Sequence, residues 1–145
     1  MPLALVIDDD PAIRSILRLK MESRGWLVIE AADAYRGLQV FRLCKPRLVT
    51  LDVMMPINDG VGAAELAKTI TNETSGTILV IVSGFAATPE VSDFFHKLQI
   101  PVLSKASIDH PRLDRLFTYL DTVLKLDTTS VTTEASEDTN NGHNK

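Results

Sequence analysis

Short apolar runs alternate along this chain with stretches whose apolar residues recur at helical spacing, and that alternation limits the fold more than any other feature. The runs Leu3–Ile7, Leu27–Ile29, Leu48–Val53, Thr77–Val82 and Ile100–Leu103 are rich in Leu, Ile and Val and read as strands. Three of them are apolar on nearly every residue, which is how strands covered on both faces read. Trp26 leads into the second run and reads as core. Between the runs and after the last of them lie five stripes at i, i+3, i+4, i+7 or close to it. They are Ile13, Ile16, Leu17 and Met21; Ala34, Leu38 and Phe41; Ala63, Leu66, Ala67 and Ile70; Val91, Phe94, Phe95 and Leu98; and Leu113, Leu116, Phe117, Leu120 and Leu124. Asp10 before Pro11 and Asp33 before the second stripe read as N-caps, Pro89 stands near the start of the fourth helix, and Pro111 precedes the fifth.

Five strands alternating with five helices imply an α/β domain, a doubly wound five-stranded parallel sheet with helices on both faces. For so short a chain the simplest strand order is the flavodoxin-like 2-1-3-4-5, with its ligand crevice beyond the carboxyl ends of strands 1 and 3. The length of 145 residues fits one domain, and 45% hydrophobic residues can fill its core. That domain is expected over residues 1–126. Residues 127–145 are Thr-, Ser-, Asn- and acid-rich, carry a net −3 of the chain's −4, and are expected to be a disordered acidic tail. No basic stripe marks a nucleic-acid footprint, so no nucleic-acid partner is expected. No apolar run approaches the ~20 residues of a membrane span, and the N-terminus lacks the positive region of a secretory signal. The one cysteine, Cys44, fits a cytoplasmic protein and reads as a small buried hydrophobe on a helix.

The strand ends carry the chemistry. Strand 1 runs into Asp8, Asp9 and Asp10; Asp52 interrupts the apolar run LVTLDVMMP; strand 4 ends in Ser83 and Gly84; strand 5 ends in Ser104 and Lys105. In the expected sheet these groups converge. Two carboxylates ~4 Å apart at an effective dielectric near 20 repel by about 4 kcal/mol. Such a site takes up a proton, a cation or both. Clustered aspartate oxygens suit Mg²⁺, which favours a few carboxylates, water and a phosphate oxygen. Asp52 is then the natural nucleophile toward phosphorus, Lys105 a fixed charge for a phosphoryl oxygen, Ser83 a hydroxyl donor, and Gly84 a residue that leaves room. Asp8, Asp9 and Asp52 alone would read equally as solvated loop caps. Lys105 and Ser83 at the matching strand ends tip the balance toward a site.

The same residues resemble a known family. LALVIDDDPAIRSIL, TLDVMMPINDG, IVSGFA and PVLSKA, in that order over residues 3 to about 126, are similar to the four signature segments of response regulator receiver domains. The resemblance implies Asp52 as the phosphorylated residue. It implies Asp9 as a direct Mg²⁺ ligand, Asp8 as a mostly water-mediated one, and the Met54 backbone carbonyl as a further ligand. Lys105 would bind a phosphoryl oxygen and Ser83 would close on the phosphoryl group. Pro56 and Gly60 would shape the loop after strand 3.

The donor would be a histidine kinase or phosphotransfer protein of a two-component phosphorelay, docking near Ile13 and Arg14, although Arg14 reads equally as an ordinary solvated helix residue. The downstream target would be a protein at the helix 4, strand 5, helix 5 face, where His96 and His110 read as surface residues. Output would be by protein contact, or the module would be an intermediate in a relay. Self-dephosphorylation is expected, but no turnover of external substrates.

Two positions depart from the family pattern. Ala106 follows Lys105 where proline is usual, and a trans bond is expected there. Val102 stands where an aromatic ring is common, so switching is expected through Ser83, the following loop and helix 4. Met54 and Phe85 are expected to shield a long-lived phosphoryl group. These departures favour, as the main alternative, a pseudo-receiver that binds proteins without phosphorylation. A flavin site would want a Gly/Ser/Thr loop where Asp8–Asp10 stand. An aspartate-based phosphatase would want a second acid at Met54.

Overall fold

Five strands, β1 (Leu3–Ile7), β2 (Leu27–Ala31), β3 (Leu48–Leu51), β4 (Ile78–Ser83) and β5 (Val102–Ser104), form one parallel sheet in the order β2-β1-β3-β4-β5. This is the flavodoxin-like order the alternation implied. The computed structural model describes residues 1–57, 59–73, 76–84, 89–108 and 113–122. It divides into two units, Met1–Ile108 and Asp109–Lys145. The first unit holds the whole sheet with α1 (Pro11–Glu22), α2 (Ala34–Cys44), α3 (Ala63–Glu73), α4 (Pro89–Lys97) and a 3-10 turn at Lys105–Ser107. Within the second, α5 spans residues 113–122, with Leu113, Phe117 and Leu120 buried along one stripe as the spacing required. Pro111, Leu124 and the expected tail over 127–145 lie outside the described residues.

The period of two sorts the strand side chains. Leu5, Ile7, Val49, Leu51, Leu79 and Ile81 belong to one buried cluster with Ala34 and Phe41 of α2, Leu66, Ala67 and Ile70 of α3, and Phe95 of α4. The intervening residues Ala4, Val6, Leu48, Val80 and Val82 are also buried and point to the opposite face. There α1, with Leu17 and Met21 buried, packs on β1 and β2. At Gly37, α2 packs closely against Ile7 of β1. A Cβ at that position would stand 2.6 Å from Ile7 Cδ1.

Both helix caps form as read. Asp10 accepts from the Ala12 N–H at 2.9 Å, with Pro11 opening α1, and Asp33 accepts from the Arg36 N–H at 2.7 Å.

The boundaries differ in four strands, and β4 is shifted by one residue from Thr77–Val82 to Ile78–Ser83. β2 runs on to Ala31 because Glu30 and Ala31 stay in register with Val6 and Ile7. β3 ends at Leu51, one residue before Asp52. β5 starts at Val102 rather than Ile100, because the Ile100 N–H is taken by the Phe95 carbonyl at 2.9 Å and Pro101 has no N–H to donate. Cys44 is a correction: it is exposed. It continues the Gly37–Phe41 stripe but is the last residue of α2, and Lys45 then turns left-handed at φ 45° and carries the chain away.

Candidate functional site

The parallel ladders deliver two aspartates to the same edge of the sheet. The Asp8 N–H donates to the Ala31 carbonyl at 3.1 Å, and the Asp52 N–H donates to the Ile7 carbonyl at 3.0 Å. Each residue is thus held by the last bond of its ladder while its side chain projects past the strand. Each carboxylate also takes a local backbone donor: Asp10 N–H to Asp8 Oδ1 at 2.9 Å, and Met54 N–H to Asp52 Oδ1 at 3.0 Å. Asp9 lies between, exposed. One carboxylate oxygen from each of Asp8, Asp9 and Asp52 falls within 4.8 Å of the others.

Lys105 closes the cluster from the far side of β4. Its Nζ stands 3.0 Å from Asp8 Oδ2 and 3.1 Å from Asp52 Oδ2. Its backbone opens the 3-10 turn after β5, where the Ser104 hydroxyl accepts from the Ala106 N–H at 3.2 Å. No cis peptide occurs among the described residues, so the Lys105–Ala106 bond is trans as expected. Ser83 is buried at the end of β4, in register with Ser104. A Cβ on Gly84 would meet Lys105 Cδ at an ordinary 3.5 Å, so this glycine borders the lysine stem without being sterically required.

The charge balance is lopsided. Asp8 is 1% and Asp52 2% exposed, so two carboxylates share a nearly dry site with one ammonium. Burial raises the Asp8 pKa above its usual 3.8, and the Asp52 charge adds to this, against the Asp10 N–H and Lys105. Burial pulls the Lys105 pKa down, but its bonds to Asp8 and Asp52 outweigh that and leave it raised. Acid and base alike hold their protons more tightly than usual, so the cluster lacks positive charge even with Lys105 in place. The donor set is all oxygen, as Mg²⁺ requires.

Sequence reasoning missed one supporting residue, Glu30. It accepts from Arg14 Nε at 3.2 Å and from Arg18 Nη1, while Arg14 Nη1 donates to the Asp8 backbone carbonyl at 2.8 Å. Arg14 is therefore no ordinary solvated residue; its side chain is only 18% exposed. The readable signal was arginines at i and i+4 on α1 with a glutamate next to the end of the adjacent strand. Met54 is 57% exposed, and His96 is exposed as read. Phe85, His110 and the loop after Gly84 lie outside the described residues.

A family model for the response regulator receiver domain matches residues 4–115. The chain belongs to the response regulator receiver family. It is 36% identical over 96 residues to a probable transcriptional regulator ycf27 from Porphyridium aerugineum, covering 66% of this chain and 37% of that protein. It is 40% identical over 60 residues to RpaA of Synechocystis, described as a DNA-binding dual master transcriptional regulator, covering 41% and 25% of the two. Among solved structures it resembles a CheY-like receiver domain protein from Methanospirillum hungatei at a TM-score of 0.74 and 25% identity, covering 86% of this chain and 98% of that one.

This receiver spans about a quarter to somewhat over a third of the curated relatives it matches. The expectation of no nucleic-acid partner came from the charge of these residues alone. With DNA-binding regulators among the relatives, it does not extend beyond them. No helix among the described residues is long and apolar enough to cross a membrane.

Proposed function

We propose that this receiver accepts a phosphoryl group on Asp52 from a phosphohistidine on a histidine kinase or phosphotransfer protein. The observation that carries this reading is the placement of Lys105 Nζ at 3.0 and 3.1 Å from the carboxylates of Asp8 and Asp52, in a cluster short of positive charge. Asp8, Asp9, Asp52 and the Met54 carbonyl would hold Mg²⁺, which when bound offsets charge on the attacking and transferring oxygens.

An Asp52 carboxylate oxygen forms the new bond to phosphorus. The phosphorus–nitrogen bond breaks and its electron pair returns to the imidazole. Lys105 shifts from carboxylate to phosphoryl oxygen, so the ammonium already stands where charge arrives and needs little reorganisation. Ser83 donates its hydroxyl to another phosphoryl oxygen, and the change passes through the following loop and α4 to a protein partner.

Later hydrolysis of the acyl phosphate resets the module, and Met54 at the mouth slows it. With Met54 rather than an acid two residues past Asp52, turnover of external phosphoesters is not part of the function. A small phosphodonor with Mg²⁺ tests this by intact mass. One phosphoryl addition is expected on the wild type and none on Asp52→Ala. No addition, or equal addition on both, refutes the reading.

A further inference from the structure

A groove of about 540 Å³ lies between the loop after β3, α3 and α4. Its apolar wall includes Met54 and Ile57, which are 57% and 74% exposed, with Val91 and the half-buried Phe94. Solvent-facing apolar side chains gathered into one concavity of this size mark an interaction site rather than scattered surface residues. The charge on its lining is one-sided: among the described residues Glu65 and Glu90 line it and no cation does. Both occupy first turns, of α3 and α4, and both helices leave the same edge of a parallel sheet. The two carboxylates therefore stand at the end of the groove nearest Asp52. One turn further along α3, Lys68 Nζ sits 5.4 Å from the Phe94 ring centroid, so the negative charge is confined to one end.

We propose that this groove docks an amphipathic protein segment that presents apolar anchors to Met54, Ile57, Val91 and Phe94 and basic residues to Glu65 and Glu90. The chain's own residues 127–145 carry a net −3 and a second copy a net −4, so neither supplies the complementary charge. The groove is also joined to the phosphoacceptor. Met54, part of its wall, donates its backbone N–H to Asp52 Oδ1 at 3.0 Å. Resting on the phosphoacceptor reading, phosphorylation alters the acceptor at that atom, and the affinity of the groove follows the state of Asp52.

The test uses the full chain and a labelled synthetic helix with leucines at i, i+3 and i+7 and two lysines at one end. Binding is read by fluorescence anisotropy and mapped by NMR shifts. Saturable binding is expected, with shifts centred on Ile57, Val91 and Phe94. The same peptide with glutamates for lysines should bind about tenfold more weakly, and Glu65→Lys with Glu90→Lys should invert that preference. Equal binding of both peptides, no effect of the charge reversal, or shifts centred elsewhere overturns the proposal. In a second arm, Mg²⁺ and a small phosphodonor should change the affinity at least about threefold in the wild type and leave Asp52→Ala unchanged. If an adduct forms and the affinity stays constant, the linkage to Asp52 is overturned. If no adduct forms, the phosphoacceptor reading fails while the first arm still decides the groove.

Discussion

Replacing Lys105 with methionine removes the ammonium and keeps most of the stem, so little cavity is created. What remains is a pair of carboxylates, 1% and 2% exposed, each keeping the backbone donor at its Oδ1. Their repulsion at ~4 Å and an effective dielectric near 20 is about 4 kcal/mol. The folded variant can avoid that cost by protonating Asp8, whose pKa burial has already raised. Protonating an ordinary carboxyl at pH 7 costs about 4 kcal/mol, at ~1.4 kcal/mol per pH unit above a pKa near 4, and less for a group already raised. The expected loss at pH 7 without divalent ions is therefore about 3 kcal/mol, shrinking to roughly 1 kcal/mol by pH 5. The sign follows from the proton count. The folded variant binds a proton that the unfolded chain has released, so its stability falls relative to wild type as pH rises. Urea midpoints at the two pH values, with unchanged m, measure the effect. Mg²⁺ should restore part of the loss at pH 7 and little at pH 5. The same destabilisation at both pH values would refute the electrostatic account and leave only a packing role for the lysine.

In the wild type, Asp8 should titrate by carboxyl NMR above 3.8, and Mg²⁺ should move the midpoint down. Because the folded state holds this proton more tightly, the contribution of Asp8 to stability is full below 3.8 and is lost as pH rises through the raised value. Gly37→Ala should destabilise by about 1–2 kcal/mol in thermal unfolding despite better helix propensity, since its Cβ would stand 2.6 Å from Ile7 Cδ1. Ile7→Val removes that atom and should relieve the added strain in a double-mutant cycle; purely additive losses would count against the clash. Asp33→Ala should cost about 1 kcal/mol by the loss of the acceptor for the Arg36 N–H, with Asp33→Asn close to neutral.

The sheet order, the helix stripes and both caps were legible because each rests on local periodicity or a local donor. Strand ends were less so. Whether β3 stops before Asp52 or runs through it depends on how far the neighbouring ladder extends, and only the partner strand decides that. Ile100 looked like strand by composition, yet its N–H was already committed to closing α4. Cys44 lay on the right side of its helix, but the place where the chain leaves the sheet is set by a left-handed residue after it. The convergence of the candidate site residues was readable because a parallel sheet gathers strand ends wherever they fall in sequence. Glu30 was not, because its role depends on two arginines reaching it across the α1–β2 packing.

The three consecutive aspartates after β1 show how backbone, rather than residue type, assigns a role. Asp10 faces the first free N–H groups of α1 and accepts from Ala12, so it becomes a cap. Asp8 is held by its own N–H on the Ala31 carbonyl and is turned inward, where its carboxylate meets Lys105. Asp9, between them, stays exposed with one oxygen within reach of the other two carboxylates. Arg14 fits the same logic. Its guanidinium takes the Asp8 carbonyl and Glu30, not the Asp8 carboxylate. The bond fixes the backbone that aims the carboxylate, and Glu30 absorbs the positive charge that would otherwise satisfy it. A second cation placed directly on Asp8 would have relieved the cluster's deficit of positive charge permanently. Holding the loop by its backbone leaves that deficit open, as the proposed binding of Mg²⁺ requires.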